Sequence, residues 1–117
     1  MKQRIWTLEE AREILPEIID LTREAYEESL RLIEDIEKKI LPENIQEEKE
    51  SELQNLLSQW ALNLTKMGAA VKGLWLVDFD NGNGYYCWKY GETDILFEHT
   101  YEAGFTGRLP IIEEGDL

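Results

Sequence analysis

Side chains that can hold a metal ion lie close together in the last third of the chain. They are Asp78, Cys87, Glu92, His99 and Glu102, and the chain has one histidine and one cysteine in all. Imidazole, thiolate and carboxylate are the ligand types that bind transition metals such as zinc. The spacing matches no established ligand motif. The hypothesis of a bound divalent metal therefore rests on the residue types alone.

A structural interpretation explains the same residues more economically. In it, His99 forms a hydrogen bond with a carboxylate or a backbone group, and Cys87 is a small buried apolar residue. A structural zinc ion usually needs four tight ligands, and one histidine with one cysteine leaves carboxylates to complete the set. A cysteine in the middle of a strand is also an unusual place for a reactive thiolate.

A second candidate site combines Trp88, Glu92 and Arg108 around an unknown small ligand. Arg108 ends the run GFTGR (residues 104–108), whose backbone amides and guanidinium suit a carboxylate or a phosphate. The spacing matches neither a phosphate-binding loop nor a dinucleotide fingerprint. The alternative is a structural turn in which Arg108 pairs with an acid of the sheet or the hairpin. The many aromatic residues nearby either form a stacking surface or pack against the helices, which is their commoner use.

Composition restricts the partners of the protein. Its 25 acidic and 12 basic residues give a formal net charge of −13, so it lacks the basic face that nucleic acids and anionic membranes require. No apolar run approaches the ~20 residues needed to cross a bilayer. The N-terminus does not resemble a signal peptide, and one cysteine permits no internal disulfide. We therefore expect a cytoplasmic protein.

Residues 7–68 predict a long antiparallel helical hairpin. Thr7 and Glu10 form a capping box at its start, and apolar residues then recur at steps of three and four, as in a heptad seam. Pro16 lies inside this seam without disturbing its phase, so we predict a kink near Pro16 rather than a break. The first helix is expected to run to about Leu41.

Residues 45–67 predict the return helix, with Gly68 just past its end. Residues 7–60 hold 16 acidic and 6 basic residues. Helical bundles that hold two metals pair carboxylates with histidines on facing helices, so with one histidine the acidic stripe on the first helix could hold metals only if its carboxylates acted alone, and a solvated face is the better interpretation. A hairpin of two long helices exposes an apolar flank that a small sheet covers only in part. We therefore expect a homodimer through the hairpin that completes a four-helix bundle.

Residues 74–79, 85–90 and 95–99 predict a three-stranded antiparallel meander. Asparagine and glycine between the first two strands favour a tight turn. One face of this sheet covers the helices, and the other is covered by the C-terminal loop, covered by a partner, or free to bind a ligand. The sequence thus predicts one α+β domain over residues 1–117, with the hairpin at 7–68 and the meander and C-terminal loop at 72–112.

Several separate runs carry a resemblance to a known family: WTLEEA (6–11), LPE (15–17), KGL (72–74), VDF (77–79), CWKYGE (87–92) and GFTGR (104–108), with His99 between the last two. Together they resemble an uncharacterised prokaryotic family catalogued as domain of unknown function 2203. Lys89 stands where that family usually has arginine. The resemblance spans nearly the whole chain, but the family has no established activity, so it implies no chemistry.

Two hypotheses of function follow. In the first, the protein is a small homodimeric interaction or scaffold protein without catalysis, because its helical half has a wide apolar face and no paired catalytic constellation is visible. In the second, it is a metal- or small-ligand-binding protein, or an enzyme, with its site around Cys87, Glu92, His99 and Arg108. Whether those side chains converge in the folded chain discriminates between the two.

Overall fold

A helical hairpin followed by an antiparallel sheet makes up the protein, and this α+β arrangement confirms the predicted fold class. The computed structural model describes residues 4–38 and 41–113. The elements are α1 (Leu8–Glu37), α2 (Glu43–Lys66), β1 (Ala70–Gly73), β2 (Leu76–Asp80), β3 (Tyr85–Lys89), β4 (Phe97–His99) and β5 (Leu109–Pro110), with a 3₁₀ turn at Phe105–Gly107 before β5.

The first helix begins with the predicted capping box. The Thr7 hydroxyl accepts a hydrogen bond from the Glu10 backbone N–H, and the Glu10 carboxylate accepts one from the Thr7 N–H. The helix continues through Pro16, so the proline does not break it, and the kink stays a prediction. The described helix ends at Glu37, short of the expected end at Leu41, and residues 39–40 lie outside the described residues.

The heptad seam of α1 is the face that the fold buries. Steps of four and three place its residues on one side of the helix. The buried positions are Ala11, Leu15, Ile18, Thr22, Ala25, Ser29 and Leu32.

The second helix is buried only near its C-terminal end. Its N-cap is Pro42, whose fixed φ is compatible with a helix start. The buried residues of α2 are Trp60 and Leu64, so residues 43–59 leave no side chain fully buried. Gly68 follows the helix with φ +95, the left-handed conformation expected there. No helix in the described part of the chain has the length and apolar character needed to cross a membrane.

The sheet has five strands, so the prediction of three is wrong. Their order is β1-β2-β3-β4-β5, and each strand is antiparallel to the next. β1 escapes prediction because it is short and ends at Gly73. β5 escapes it because it has two residues, one of them Pro110, and proline is atypical of strands. Its edge position explains the exception, since an edge strand tolerates the missing N–H.

The turn between β1 and β2 contains a strained residue. Trp75 has φ +62, which is uncommon for any residue other than glycine. Its ring centroid lies 5.0 Å from that of Trp60 on α2 and 5.5 Å from that of Tyr26 on α1. Packing against both helices therefore holds this conformation in place.

The two faces of the sheet have different surroundings. Val77, Phe79 and Trp88 belong to the core that the sheet shares with the helices, and all three are fully buried. Because side chains alternate along a strand, Asp78 and Cys87 lie on the opposite face. They are direct partners across β2 and β3.

A C-terminal segment, residues 100–108, crosses this opposite face, and we call it the C-terminal strap. The Tyr101 hydroxyl donates a 2.7 Å hydrogen bond to Asp80 Oδ1 at one end of the segment. At the other end, the Arg108 guanidinium lies 4.1 Å from the centre of the Phe97 ring. Three alternatives were predicted for this face: cover by the C-terminal loop, cover by a partner, or a free binding surface. The structure shows the C-terminal loop on it.

Candidate metal site

Asp78, Cys87 and His99 converge beneath the C-terminal strap. β2 carries Asp78, β3 carries Cys87 opposite to it, and β4 carries His99, which pairs with Tyr85. One potential ligand atom from each of the three lies within 4.8 Å of the other two. The residues are 1%, 0% and 6% exposed, respectively. Three neighbouring strands therefore build one buried group with carboxylate, thiol and imidazole.

Both ring nitrogens of His99 have partners. Nδ1 lies 2.7 Å from the backbone carbonyl of Thr100, which can only accept a hydrogen bond, so Nδ1 carries a proton. Nε2 lies 2.8 Å from Asp78 Oδ2, with a proton shared between the two atoms. Metal-bound histidines have a similar arrangement, because a hydrogen bond from one ring nitrogen orients the other towards the ion.

The second carboxylate oxygen of Asp78 is less well paired than the other polar atoms of this site. Oδ1 is buried and forms no full hydrogen bond with a described residue, and the polar group that faces the Asp78 carboxylate beside His99 is the thiol of Cys87, a weak donor. Leaving a buried acceptor unpaired costs about 1–3 kcal/mol, and more for a charged group. Such an atom calls for an explanation such as a bound ion.

Cys87 is a protonated thiol in the absence of a cation. Burial, followed by the negative charge of Asp78 and a hydrogen bond to its carboxylate, raises the pKa of the thiol to about 12, although Arg108 acts in the opposite direction. A free thiolate nucleophile at neutral pH is therefore not supported. A coordinated metal ion changes this situation, because it deprotonates a thiol that binds to it.

The predicted ligand-binding residues Trp88, Glu92 and Arg108 lie together but bind one another. The Trp88 indole N–H donates to the Glu92 backbone carbonyl at 2.9 Å. Arg108 Nη2 donates to Glu92 Oε1 at 2.6 Å and to the Cys87 carbonyl at 3.2 Å. This is the pairing with an acid that the structural interpretation of the GFTGR run expected. A ligand-binding role for these residues stays a prediction.

The two glutamates among the predicted metal ligands lie outside the described group of three. Glu92 is occupied by Arg108 and also accepts a hydrogen bond from the Lys89 backbone N–H at 2.7 Å. Glu102 is exposed on the strap. Asp78, which the sequence analysis also named, supplies the carboxylate instead. Strand alternation with the correct register was the signal that could have singled it out.

The structural interpretation accounts for most of this geometry. His99 is bonded to a carboxylate and to a backbone carbonyl, and Cys87 is buried, as that interpretation expected. It leaves one atom poorly paired, Oδ1 of Asp78, which has only the thiol of Cys87 as a weak donor.

One of the comparisons with known proteins gives a match. Residues 4–111 match the model of a family described as "Uncharacterized conserved protein (DUF2203)". No curated protein and no solved structure matches. Because that description states no activity, function has to be argued from the site.

Proposed function

We propose that this chain, which belongs to the DUF2203 family, binds one divalent transition-metal ion through Asp78, Cys87 and His99. The observation that carries the proposal is the convergence of the three side chains in a buried group where Asp78 Oδ1 has only the weak thiol donor of Cys87 beside it. A thiolate and an imidazole favour zinc or a similar ion over magnesium and calcium, which prefer oxygen ligands.

Charge balance supports a divalent ion. The Asp78 carboxylate and the Cys87 thiolate together carry two negative charges, which one divalent cation neutralises. In the metal-free site, protons have that role, one on the thiol and one shared by His99 Nε2 and Asp78 Oδ2. Metal binding thus exchanges two protons for one ion without leaving net charge in a buried site.

Two further parts of the proposal depend on the ion. Three protein ligands leave a coordination position open, as in catalytic zinc sites, and an enzyme would use that position for its substrate. A thiolate ligand also requires a reduced Cys87, which fits the cytoplasmic location that we expect from the single cysteine.

The metal content of the untagged, desalted protein tests the proposal. After incubation with Zn²⁺, we expect about one ion per chain by mass spectrometry in the wild type. His99→Ala and Asp78→Asn should both lose it. Glu102→Gln is the matched control, because it removes a carboxylate that is exposed outside the group of three. A metal-free wild type, or full occupancy in both ligand variants, contradicts the proposal.

Homodimerisation through the hairpin is a second candidate function, with an observation of its own. Among the described residues, the fully buried core that the helices share with the sheet extends no further than Ala25 on α1 and Trp60 on α2. Beyond those residues, Leu30 and Ile33 of α1 are 48% and 36% exposed. A second copy packed on this part of the hairpin would complete a four-helix bundle. A scaffold role without catalysis depends on that assembly.

Molar mass in solution tests the dimer. We expect light scattering to give twice the chain mass for the wild type at micromolar concentration and the mass of one chain for Leu30→Glu, because a charge on the apolar surface opposes its burial. Leu109→Glu is the control, since Leu109 is also exposed but lies on β5, away from the hairpin. A monomeric wild type contradicts the proposal.

A further inference from the structure

The C-terminal strap is the cover of the candidate metal site. The site lies on the sheet face that the helices do not contact, yet its three side chains are buried. The strap contacts the strand partners of two of these side chains. Tyr101 packs edge-on against Tyr85, the strand partner of His99, with ring centroids 5.2 Å apart. Arg108 lies over Phe97, the strand partner of Cys87.

Side chains fasten the strap at its two ends. At the first end, the Tyr101 hydroxyl is bonded to Asp80 Oδ1. At the second end, Arg108 forms its ion pair with Glu92, donates to the Cys87 backbone carbonyl, and lies between the rings of Phe97 and Phe105, 4.1 and 4.7 Å from their centres. The Arg108–Glu92 pair is largely buried, with side-chain exposures of 10% and 19%.

Between these fastenings, the strap has few described contacts with the sheet, among them the Lys89 ammonium group 5.6 Å from the centre of the Phe105 ring. Its described backbone hydrogen bonds are local ones, from Ala103 to Thr100, from Gly107 to Gly104 and from Arg108 to Phe105. Most of its side chains are exposed. Segments with few buried contacts open at a lower free energy than the core. Release of the two ends would therefore expose the site while the sheet stays intact.

We propose that the strap is the gate through which the metal ion enters and leaves the site. This inference rests on the proposed metal binding by Asp78, Cys87 and His99. None of these three ligands lies on the strap, and the bond from His99 Nδ1 to the carbonyl of Thr100, the first strap residue, precedes the fastening at Tyr101 and is kept when the strap opens. A gate of this kind sets both the rate of entry and the rate of exit. It leaves the affinity unchanged, because both rates depend on the same opening step.

Metal exchange in variants of the two fastenings tests the gate. Glu92→Gln removes the charge that pairs with Arg108 but retains an oxygen that can accept from Lys89. Tyr101→Phe removes one hydroxyl and retains the ring on Tyr85. Zn²⁺ exit into excess chelator and Zn²⁺ entry should each become roughly tenfold faster in both variants, at an unchanged dissociation constant. Glu28→Gln is the matched control, because it removes an exposed ion pair with Arg31 on α1.

Alkylation of Cys87 in the metal-free protein gives a second readout. Cys87 is the only cysteine of the chain, so a neutral thiol reagent reports on this site alone. Strap opening should accelerate its modification by the same roughly tenfold factor in Glu92→Gln and Tyr101→Phe but not in Glu28→Gln. Urea titrations of all three variants provide the correction for global unfolding.

The two readouts separate the gate from the metal proposal. Wild-type rates of exchange and alkylation in both strap variants would overturn the gate while metal binding stands. Faster exit with weaker affinity would also overturn it, because the strap would then contribute to coordination. A wild type that binds no Zn²⁺ would overturn metal binding and the gate together, whatever the alkylation rates are.

Discussion

The 2.8 Å contact between His99 Nε2 and Asp78 Oδ2 marks where the proposed ion would lie. A tetrahedral ion about 2.1 Å from each atom would separate them by about 3.4 Å. A small movement of one side chain is therefore sufficient to admit it. The Thr100 carbonyl would keep its hydrogen bond to Nδ1, so the imidazole retains its orientation during that movement.

The ionisation of Cys87 should lower the stability of the metal-free protein at alkaline pH. Below pH 9 the thiol is protonated in both the folded and the unfolded chain. Above pH 9 the unfolded thiol ionises at its ordinary pKa of 9.0, whereas burial keeps the folded thiol protonated up to about pH 12. The unfolded state then binds fewer protons, so the free energy of unfolding should fall by about 1.4 kcal/mol per pH unit in this window.

Urea unfolding between pH 8 and pH 11 measures this effect. The slope of stability against pH should be smaller in Cys87→Ala than in the wild type. The pKa values of Tyr86 and Tyr101 are also raised, the first mainly by burial and the second mainly by its hydrogen bond to Asp80, and both remain in the variant as a common background. Parallel slopes for the two proteins would show that the Cys87 thiol ionises equally easily in both states.

At the scale of the elements, one polar contact explains a break in the apolar seam of α1. Thr22 and Ser29 stand where a coiled coil would have large aliphatic residues, and both are buried. The Thr22 hydroxyl accepts a 2.9 Å hydrogen bond from the Trp60 indole N–H of α2. Ser29 donates to the Tyr26 carbonyl at 2.6 Å within α1 itself. Thr22 therefore joins the two helices at the point where both enter the core.

Thr22→Val tests this contact. Valine keeps the shape of threonine but leaves the Trp60 N–H buried without a partner, so we expect a loss of about 1–3 kcal/mol in the free energy of unfolding. Thr22→Ser retains the hydroxyl and loses one methyl group, and it should preserve the hydrogen bond. Chemical denaturation of the three proteins gives the comparison. Equal stability of Thr22→Val and the wild type would mean that the contact does not stabilise the hairpin.

At the scale of the whole molecule, shape and charge are both asymmetric. The molecule measures 59 × 29 × 26 Å. The candidate metal site lies on the sheet, whereas the surface proposed for dimerisation lies on the part of the hairpin beyond the shared core. The two proposals can therefore be tested separately, because variants at one region leave the contacts of the other intact.

The charge of the hairpin gives the dimer proposal a salt dependence. Residues 7–60 contain 16 acidic and 6 basic residues, an excess of 10 negative charges out of the net 13. Two such surfaces repel each other, and salt screens that repulsion over a Debye length of about 10 Å at 0.1 M. We expect the dimer to tighten as NaCl rises, as measured by sedimentation at several salt concentrations. An affinity that weakens with salt would instead indicate attractive ion pairs across the interface.

Local patterns in the sequence predict the helices because the interactions that define them are short. The capping box joins Thr7 to Glu10, the seam of α1 repeats every three or four residues, and Gly68 has the positive φ expected after a helix. The alternation of β2 and β3 is similarly local. For these elements the backbone hydrogen bonds and the solvent-facing pattern depend on neighbours in the chain.

Only the tertiary structure decided which of the chemistry-bearing residues meet. Sequence analysis named Asp78, Cys87, Glu92, His99 and Glu102 without a way to choose among them. The register of β2, β3 and β4 brings Asp78, Cys87 and His99 together. Glu92 instead forms an ion pair with Arg108. β1 and β5 were unpredictable because, at four and two residues, they are too short to show an alternating pattern and are defined by pairing with β2 and β4. Register and burial depend on contacts between different strands and with the C-terminal strap, which the pattern within one segment does not specify.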